Sequence, residues 1–105
     1  MKRLTLPLIF LSSLSFAGIE ETFTIKNVGA SNNTNTVFID TVEQATGSSC
    51  TNTVHFKLPL DDKLADKFYS AALMAKASGQ KIALTYEPNA CISGGILPTV
   101  FKIVQ

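Results

Sequence analysis

The residues that could take part in chemistry are few and widely spaced in this chain of 105 residues. His55 is the single histidine, and it stands between Val54 and Phe56. General-base or nucleophilic catalysis would need a nucleophile and an orienting carboxylate beside its imidazole. The alternation of apolar and polar residues here places His55 on the polar face of a strand, which is typical of a surface residue. The sequence therefore predicts no enzyme and no cofactor.

Two carboxylates are adjacent at Asp61 and Asp62, directly before a stretch with helical periodicity. Paired acids can serve as a general acid and base. Aspartate is also a preferred residue at the start of a helix, where its charge lies at the positive end of the helix dipole. The position of this pair favours a helix cap over a catalytic role.

Cys50 and Cys91 are the two cysteines, and they lack the Cys-x-x-Cys spacing of redox enzymes. Two cysteines permit one intramolecular bridge. That bridge would close a loop of about 40 residues and stabilise the fold by roughly 4 kcal/mol. Two buried free thiols or a metal pair are the alternatives, although zinc would need about four ligands. The sequence therefore predicts a Cys50–Cys91 disulfide and no metal site.

The N-terminus has the pattern of a secretory signal peptide. Met1-Lys2-Arg3 is basic, residues 4–14 are mostly apolar, and Ser15-Phe16-Ala17 offers small residues at the positions that matter for cleavage. The apolar run of about 11 residues is shorter than the roughly 20 that span a bilayer. We expect removal of residues 1–17, which leaves a single domain at residues 18–105 in a secreted or periplasmic location.

The charge balance excludes several classes of partner. Of nine basic residues, removal of Lys2 and Arg3 leaves seven lysines against eight acidic residues, a net charge of −1. No arginine remains. Nucleic-acid binding depends on basic clusters, so this balance argues against a nucleic-acid partner. No run of charges predicts binding to a membrane surface, and no membrane insertion is expected.

The elements that would position these residues are five strands and one helix, in the order β-β-β-α-β-β. Period-two alternation predicts strands at 20–28, 36–42, 53–58, 81–86 and 99–104. The helix is expected to begin at Asp61 or Asp62 and to stop at Gly79. Its apolar stripe consists of Leu64, Phe68, Ala71, Ala72 and Ala75. Turns are expected at Glu87-Pro88-Asn89 and at Gly94-Gly95.

This pattern predicts a mainly β fold with one helix. Short antiparallel strands with a single helix fit a small five-stranded barrel of the OB type. A plain α+β sheet with the helix on one face is the alternative. Tyr86 ends the fourth predicted strand, and it could pack in the core or form the wall of a sugar pocket.

One segment of the chain, residues 68–88, has the sequence FYSAALMAKASGQKIALTYEP. It contains a tyrosine at the helix start, an alanine-rich helix, Gly79-Gln80, an alternating strand and Tyr86-Glu87-Pro88. This segment resembles the central helix and following strand of the subtilase-cytotoxin B-subunit family, which includes the binding subunits of typhoid-toxin-like AB5 toxins. Val37-Phe38-Ile39 and Gly47-Ser48-Ser49-Cys50 are similar to the region before that helix.

The resemblance implies an OB-fold subunit that forms a ring homopentamer, binds sialylated or related cell-surface glycans and associates with a toxin A subunit. The family's pocket uses a serine on the first strand and a tyrosine near the Tyr-Glu-Pro element. Tyr86 matches the tyrosine, whereas the first predicted strand offers Glu20, Glu21 or Thr22 and no serine. The glycan-binding candidates are therefore Tyr86, Thr22 and Glu43.

We thus expect a secreted, non-catalytic glycan-binding subunit that acts as a ring homo-oligomer. The alternative is a periplasmic structural or interaction protein with the same fold and no sugar site.

Overall fold

The computed structural model describes residues 18–105, and the predicted signal peptide lies outside these described residues. This part of the chain forms six strands and one helix, so it is mainly β as predicted. The elements are β1 (Ile19–Phe23), β2 (Ile25–Ser31), β3 (Thr36–Thr41), β4 (His55–Pro59), α1 (Ala65–Ser78), β5 (Lys81–Ile92) and β6 (Gly95–Val104).

The strands form one open sheet in the order β1-β5-β6-β4-β3-β2. Neighbouring strands are antiparallel, except that β4 and β6 run parallel. Strands β1 and β2 are the two edges, and within residues 18–105 no pairing closes the sheet between them. The prediction of a five-stranded barrel is therefore corrected to a six-stranded open sheet.

The extra strand arises because the first predicted strand, at residues 20–28, is interrupted at Thr24. The Thr24 N–H donates to a carboxylate oxygen of Glu43 at 2.7 Å, and its carbonyl accepts a bond from the Val42 N–H at 3.0 Å. The chain leaves the pairing with β5 before this residue and enters the pairing with β3 after it. Because successive Cα atoms are only about 3.8 Å apart, the two sheet edges lie close together at this corner.

The predicted turn at Glu87-Pro88-Asn89 is wrong, since β5 continues through it to Ile92. The register with β6 is irregular between Tyr86 and Cys91, and such an irregularity accommodates a proline within a strand. The chain reverses at Ser93 and Gly94, which have φ angles of 47° and 84°, one residue before the turn predicted at Gly94-Gly95.

Helix α1 begins at Ala65 rather than at Asp61 or Asp62, and no side chain caps its first turn. Asp62 accepts a hydrogen bond from the Leu64 N–H at 2.8 Å, so its carboxylate stabilises the turn before the helix. Gly79 ends the helix with φ 72°, in the left-handed conformation that glycine adopts readily. That stop is as predicted.

The core lies between the sheet and the buried face of α1. Its largest side chains are aromatic: the Phe23 and Phe56 ring centroids are 4.9 Å apart, and those of Phe56 and Tyr86 are 6.0 Å apart. The predicted disulfide is confirmed, with a Cα–Cα distance of 5.6 Å between Cys50 and Cys91. It joins the long connection at residues 42–54 to β5. None of the helices described at residues 18–105 has the length and apolar character needed to cross a membrane.

Candidate functional site

Tyr86, the first glycan-binding candidate, lies in the core with an exposed fraction of 0%. Its hydroxyl donates to Oε1 of Glu21 at 2.6 Å and accepts a bond from the Gly47 N–H at 3.0 Å. Burial, followed by the bond to Glu21, raises the pKa of Tyr86 to about 12. The phenol therefore stays neutral over the ordinary pH range. In this structure Tyr86 packs and holds the backbone at Gly47, and its role in glycan binding stays a prediction.

Glu21 joins three parts of the chain around Tyr86. Besides the tyrosine hydroxyl, it accepts a hydrogen bond from the Thr46 N–H at 3.1 Å and a short one from the Thr46 hydroxyl. Burial by itself would raise the pKa of Glu21, but the bonds from Thr46 and Tyr86 outweigh it and hold this pKa below its ordinary value. The ionised carboxylate thus ties β1, β5 and residues 42–54 together.

The other two candidates lie in different surroundings. Thr22 is exposed and pairs across the sheet with Ala83. Because successive strand residues point to opposite faces, Thr22 faces away from its neighbour Glu21. Glu43 accepts bonds from the Thr24 N–H and hydroxyl, and the backbone bond in particular lowers the pKa of Glu43. The structure does not bring Tyr86 and Thr22 into one pocket.

A different set of polar side chains meets on the outer face of β2, β3 and β4. Asn27, Asp40 and His55 lie directly opposite one another on these three neighbouring strands. The Asn27 side-chain amide donates to Oδ2 of Asp40 at 3.1 Å, and Nδ1 of His55 lies 2.5 Å from Oδ1 of Asp40. We call these three residues the polar row. The row is partly exposed to solvent, with 27% of the Asp40 side chain and 18% of the His55 side chain accessible.

A β-bulge aligns the polar row. The pairing of β2 with β3 moves from Ile25 opposite Thr41 to Asn27 opposite Asp40, so Lys26 is an extra residue on β2. Bulges recur at sheet edges and beside binding sites, where they redirect a side chain. Here the bulge gives Asp40 an amide partner and leaves the exposed Lys26 next to the row.

The His55 imidazole is held on several sides. The Phe38 ring stacks on it with a centroid distance of 4.8 Å and a tilt of 33°. A Cβ at Gly95 would lie 2.9 Å from Cδ2 of His55 and 3.3 Å from Cε of Lys57. A side chain at residue 95 would therefore displace the imidazole. Lys57 itself is covered, with an exposed fraction of 6%.

This arrangement can bind a polar ligand, but it lacks the parts of a catalytic triad. No serine, threonine or cysteine among residues 18–105 hydrogen-bonds to His55, and in the same range no cluster of three or more histidine, cysteine or acidic side chains is placed to hold a metal ion. The amide, carboxylate and imidazole groups of the polar row offer hydrogen-bond donors and acceptors beside the half-buried Phe38 ring.

Sequence reasoning placed His55 on a polar strand face but did not find its partners. Alternation along β3 and β4 indicates that Asp40 and His55 both point away from the core. The register that sets them opposite each other depends on strand pairing, and the bulge at Lys26 adds a shift that no local pattern reveals.

Comparisons with protein-family models, with curated proteins and with solved structures found no match for this chain. The resemblance to the B-subunit family therefore stays a prediction from the residues that carry it.

Proposed function

We propose that this chain is a secreted, non-catalytic glycan-binding protein of the OB type that acts as a ring homo-oligomer. The observation that carries the proposal is the polar row of Asn27, Asp40 and His55 beside the Phe38 ring. Sugars bind through hydroxyl groups that both donate and accept hydrogen bonds and through an apolar C–H face. An amide, a carboxylate and an imidazole next to an aromatic ring provide matching groups.

The order of the strands supports the OB type. If β1 and β2 are counted as one strand that bends at Thr24, the chain has five strands with the helix after the third. In OB folds the face of the second and third strands binds oligosaccharides or oligonucleotides. In this counting those strands are β3 and β4, which carry Asp40 and His55. The mature net charge of −1 favours a sugar over a nucleic acid.

The outer face of α1 supports self-association. Four neighbouring positions on its solvent side, Ser70, Leu73, Met74 and Ala77, are exposed and uncharged. Leu73 and Met74 have exposed fractions of 45% and 62%. Apolar helix faces normally pack against another surface, and a second copy of the chain would cover this one. In a ring, several weak sugar sites act together and raise the apparent affinity.

The disulfide also agrees with a secreted protein. The bond between Cys50 and Cys91 would persist in an oxidising compartment outside the cytosol. A toxin-like A subunit is the partner that the family resemblance implies. A periplasmic structural or interaction protein without a sugar site remains the alternative function.

A glycan array with the purified full chain tests the sugar claim, alongside a measurement of native mass. We expect multivalent binding that the Asp40→Ala variant loses. The control is Asp61→Ala, which removes an exposed carboxylate beyond the Pro59 end of β4, whereas His55 stands at the other end of that strand. If the folded protein binds no glycan even at high valency, the glycan-binding proposal is wrong. A native mass equal to that of one chain would exclude the ring.

A further inference from the structure

Hydrogen-bond acceptors dominate the part of the polar row that a ligand can reach. The Asp40 carboxylate accepts bonds, and each oxygen already has one partner while retaining a second lone-pair direction. The Asn27 side chain is exposed, and its amide oxygen makes no bond to any residue at 18–105. A ligand that fits this surface must therefore bring hydrogen-bond donors.

The charges around the row do not suit a carboxylated ligand. Asp40 lies at the centre and would repel a second carboxylate. Lys57 is on the same face, but only 6% of it is exposed and its Cε lies over Gly95. The exposed Lys26 lies at the edge of the row, beside the bulge, whereas the Asp40 carboxylate lies at its centre, where a ligand would bind. No arginine occurs in residues 18–105, so the bidentate pairing that commonly holds a carboxylate is missing from this range.

We infer that the polar row binds adjacent hydroxyl groups of a neutral sugar, and that it discriminates against sugars that carry a carboxylate. Two neighbouring hydroxyls donate to the free lone pairs of Asp40 and to the Asn27 amide oxygen. The second N–H of the Asn27 amide donates back to one of them. The half-buried Phe38 ring contacts the C–H face of the sugar. This inference rests on the proposed glycan-binding function and gives that site its ligand class.

The test compares two panels of immobilised glycans, one ending in a neutral hexose and one with the same chains capped by a carboxylated sugar. The full chain and three variants are titrated on both panels. Asp40→Asn keeps the shape of the side chain but replaces an acceptor by a donor. We expect it to weaken neutral-sugar binding roughly tenfold or more, since hydrogen bonds to a charged group are among the stronger ones. Asp61→Asn is the matched control and should bind like the wild type.

Asn27→Ala is the second test variant, because Asn27 is exposed at a sheet edge and its loss does not threaten folding. We expect it to weaken neutral-sugar binding several-fold. A thermal melt of each variant verifies that the fold is retained. Equal or tighter binding to the capped glycans would overturn the inference and leave the proposed function standing.

A second result would also overturn the inference. If neither Asp40→Asn nor Asn27→Ala changes the binding of neutral sugars, the sugar site lies elsewhere, and the proposed function still stands. Absence of binding on both panels by a folded protein would overturn the proposed function together with the inference. The two failures are therefore distinguishable.

Discussion

Among single residues, Tyr86 makes the hydrogen bonds whose loss should lower the free energy of unfolding most clearly. It links Glu21 to the backbone of Gly47 inside the fold. Tyr86→Phe keeps the ring and its packing but leaves the Gly47 N–H without that partner. We expect a loss of about 1–3 kcal/mol in the free energy of unfolding, measured by urea denaturation. Tyr69→Phe is the control, since the Tyr69 hydroxyl bonds to no residue in the described range; a similar loss there would contradict the role given to Tyr86.

Acid should weaken the fold through Glu21 and Glu43. Both pKa values are lowered from an ordinary value of 4.5, so around that pH the folded state binds fewer protons than the unfolded chain. Their contribution is complete above pH 4.5 and is lost as the pH falls through the folded-state pKa values. We expect the unfolding free energy of Glu21→Gln to fall less steeply than that of the wild type between pH 6 and 2. The exposed Glu87→Gln variant should follow the wild type.

Alkali acts on the same cluster through Tyr86. Its pKa is raised from 10.0 to about 12, so the folded state keeps a proton that the unfolded chain releases. The stability gained is complete below pH 10 and decreases as the pH rises towards about 12. Tyr86→Phe removes this titration, and its unfolding free energy should be flatter across that range. Parallel curves for the two proteins would contradict the assignment.

Only some residues of the candidate site could be predicted from the sequence. Sequence reasoning identified Tyr86 because an aromatic residue at a strand end is conspicuous, but its exposure depends on how residues 42–54 fold over it. It also found both cysteines, because two thiols allow only one bridge. The polar row could not be predicted from the sequence. Asn27, Asp40 and His55 come from three strands, and their register depends on pairing across the sheet.

At the scale of elements, the end of α1 depends on one backbone conformation. Gly79 has φ 72°, and a Cβ at this position would meet nothing within 4 Å. Gly79→Ala should therefore destabilise the protein by about 1 kcal/mol through backbone strain alone. Gly79→Asn is the comparison, because asparagine tolerates the left-handed region better and should cost less. Equal thermal midpoints for wild type and Gly79→Ala would contradict this reading.

The ends of helices and strands were predicted well where a backbone conformation sets them. They were predicted poorly where hydrogen bonds from side chains set them. Gly79 ends the helix as expected because few residues other than glycine adopt that conformation. Asp62 accepts the Leu64 N–H as a capping residue would, but the backbone after it forms a turn, closed by the Ala65 N–H bond to the Asp62 carbonyl, and the regular helix begins at Ala65. The break at Thr24 was missed because it depends on Glu43, which is 19 residues away in sequence. Contacts of that range leave no mark on local periodicity.

At the scale of the whole molecule, residues 42–54 have little regular structure of their own and are held by contacts with other elements. Ser49 donates from its N–H and its hydroxyl to the Pro88 carbonyl, and Thr46 binds Glu21 on β1. The Cys50–Cys91 bond adds a covalent link to β5. This connection covers Tyr86 and leads into β4, so its attachment also fixes the start of the strand that carries His55.

The disulfide should therefore dominate the stability of the molecule. Its cysteines are 41 residues apart in sequence, and a loop of that size corresponds to about 4 kcal/mol in the chain-entropy account. We expect reduction to lower the free energy of unfolding by that amount in urea titrations with and without a thiol reductant. The control is the Cys50→Ala/Cys91→Ala double variant, which should start from the reduced protein's stability and not respond to reductant. A loss under about 1 kcal/mol on reduction would contradict this account, because the cross-link stabilises the fold by limiting the unfolded chain, and so small a loss would mean that the reduced unfolded chain gains little freedom.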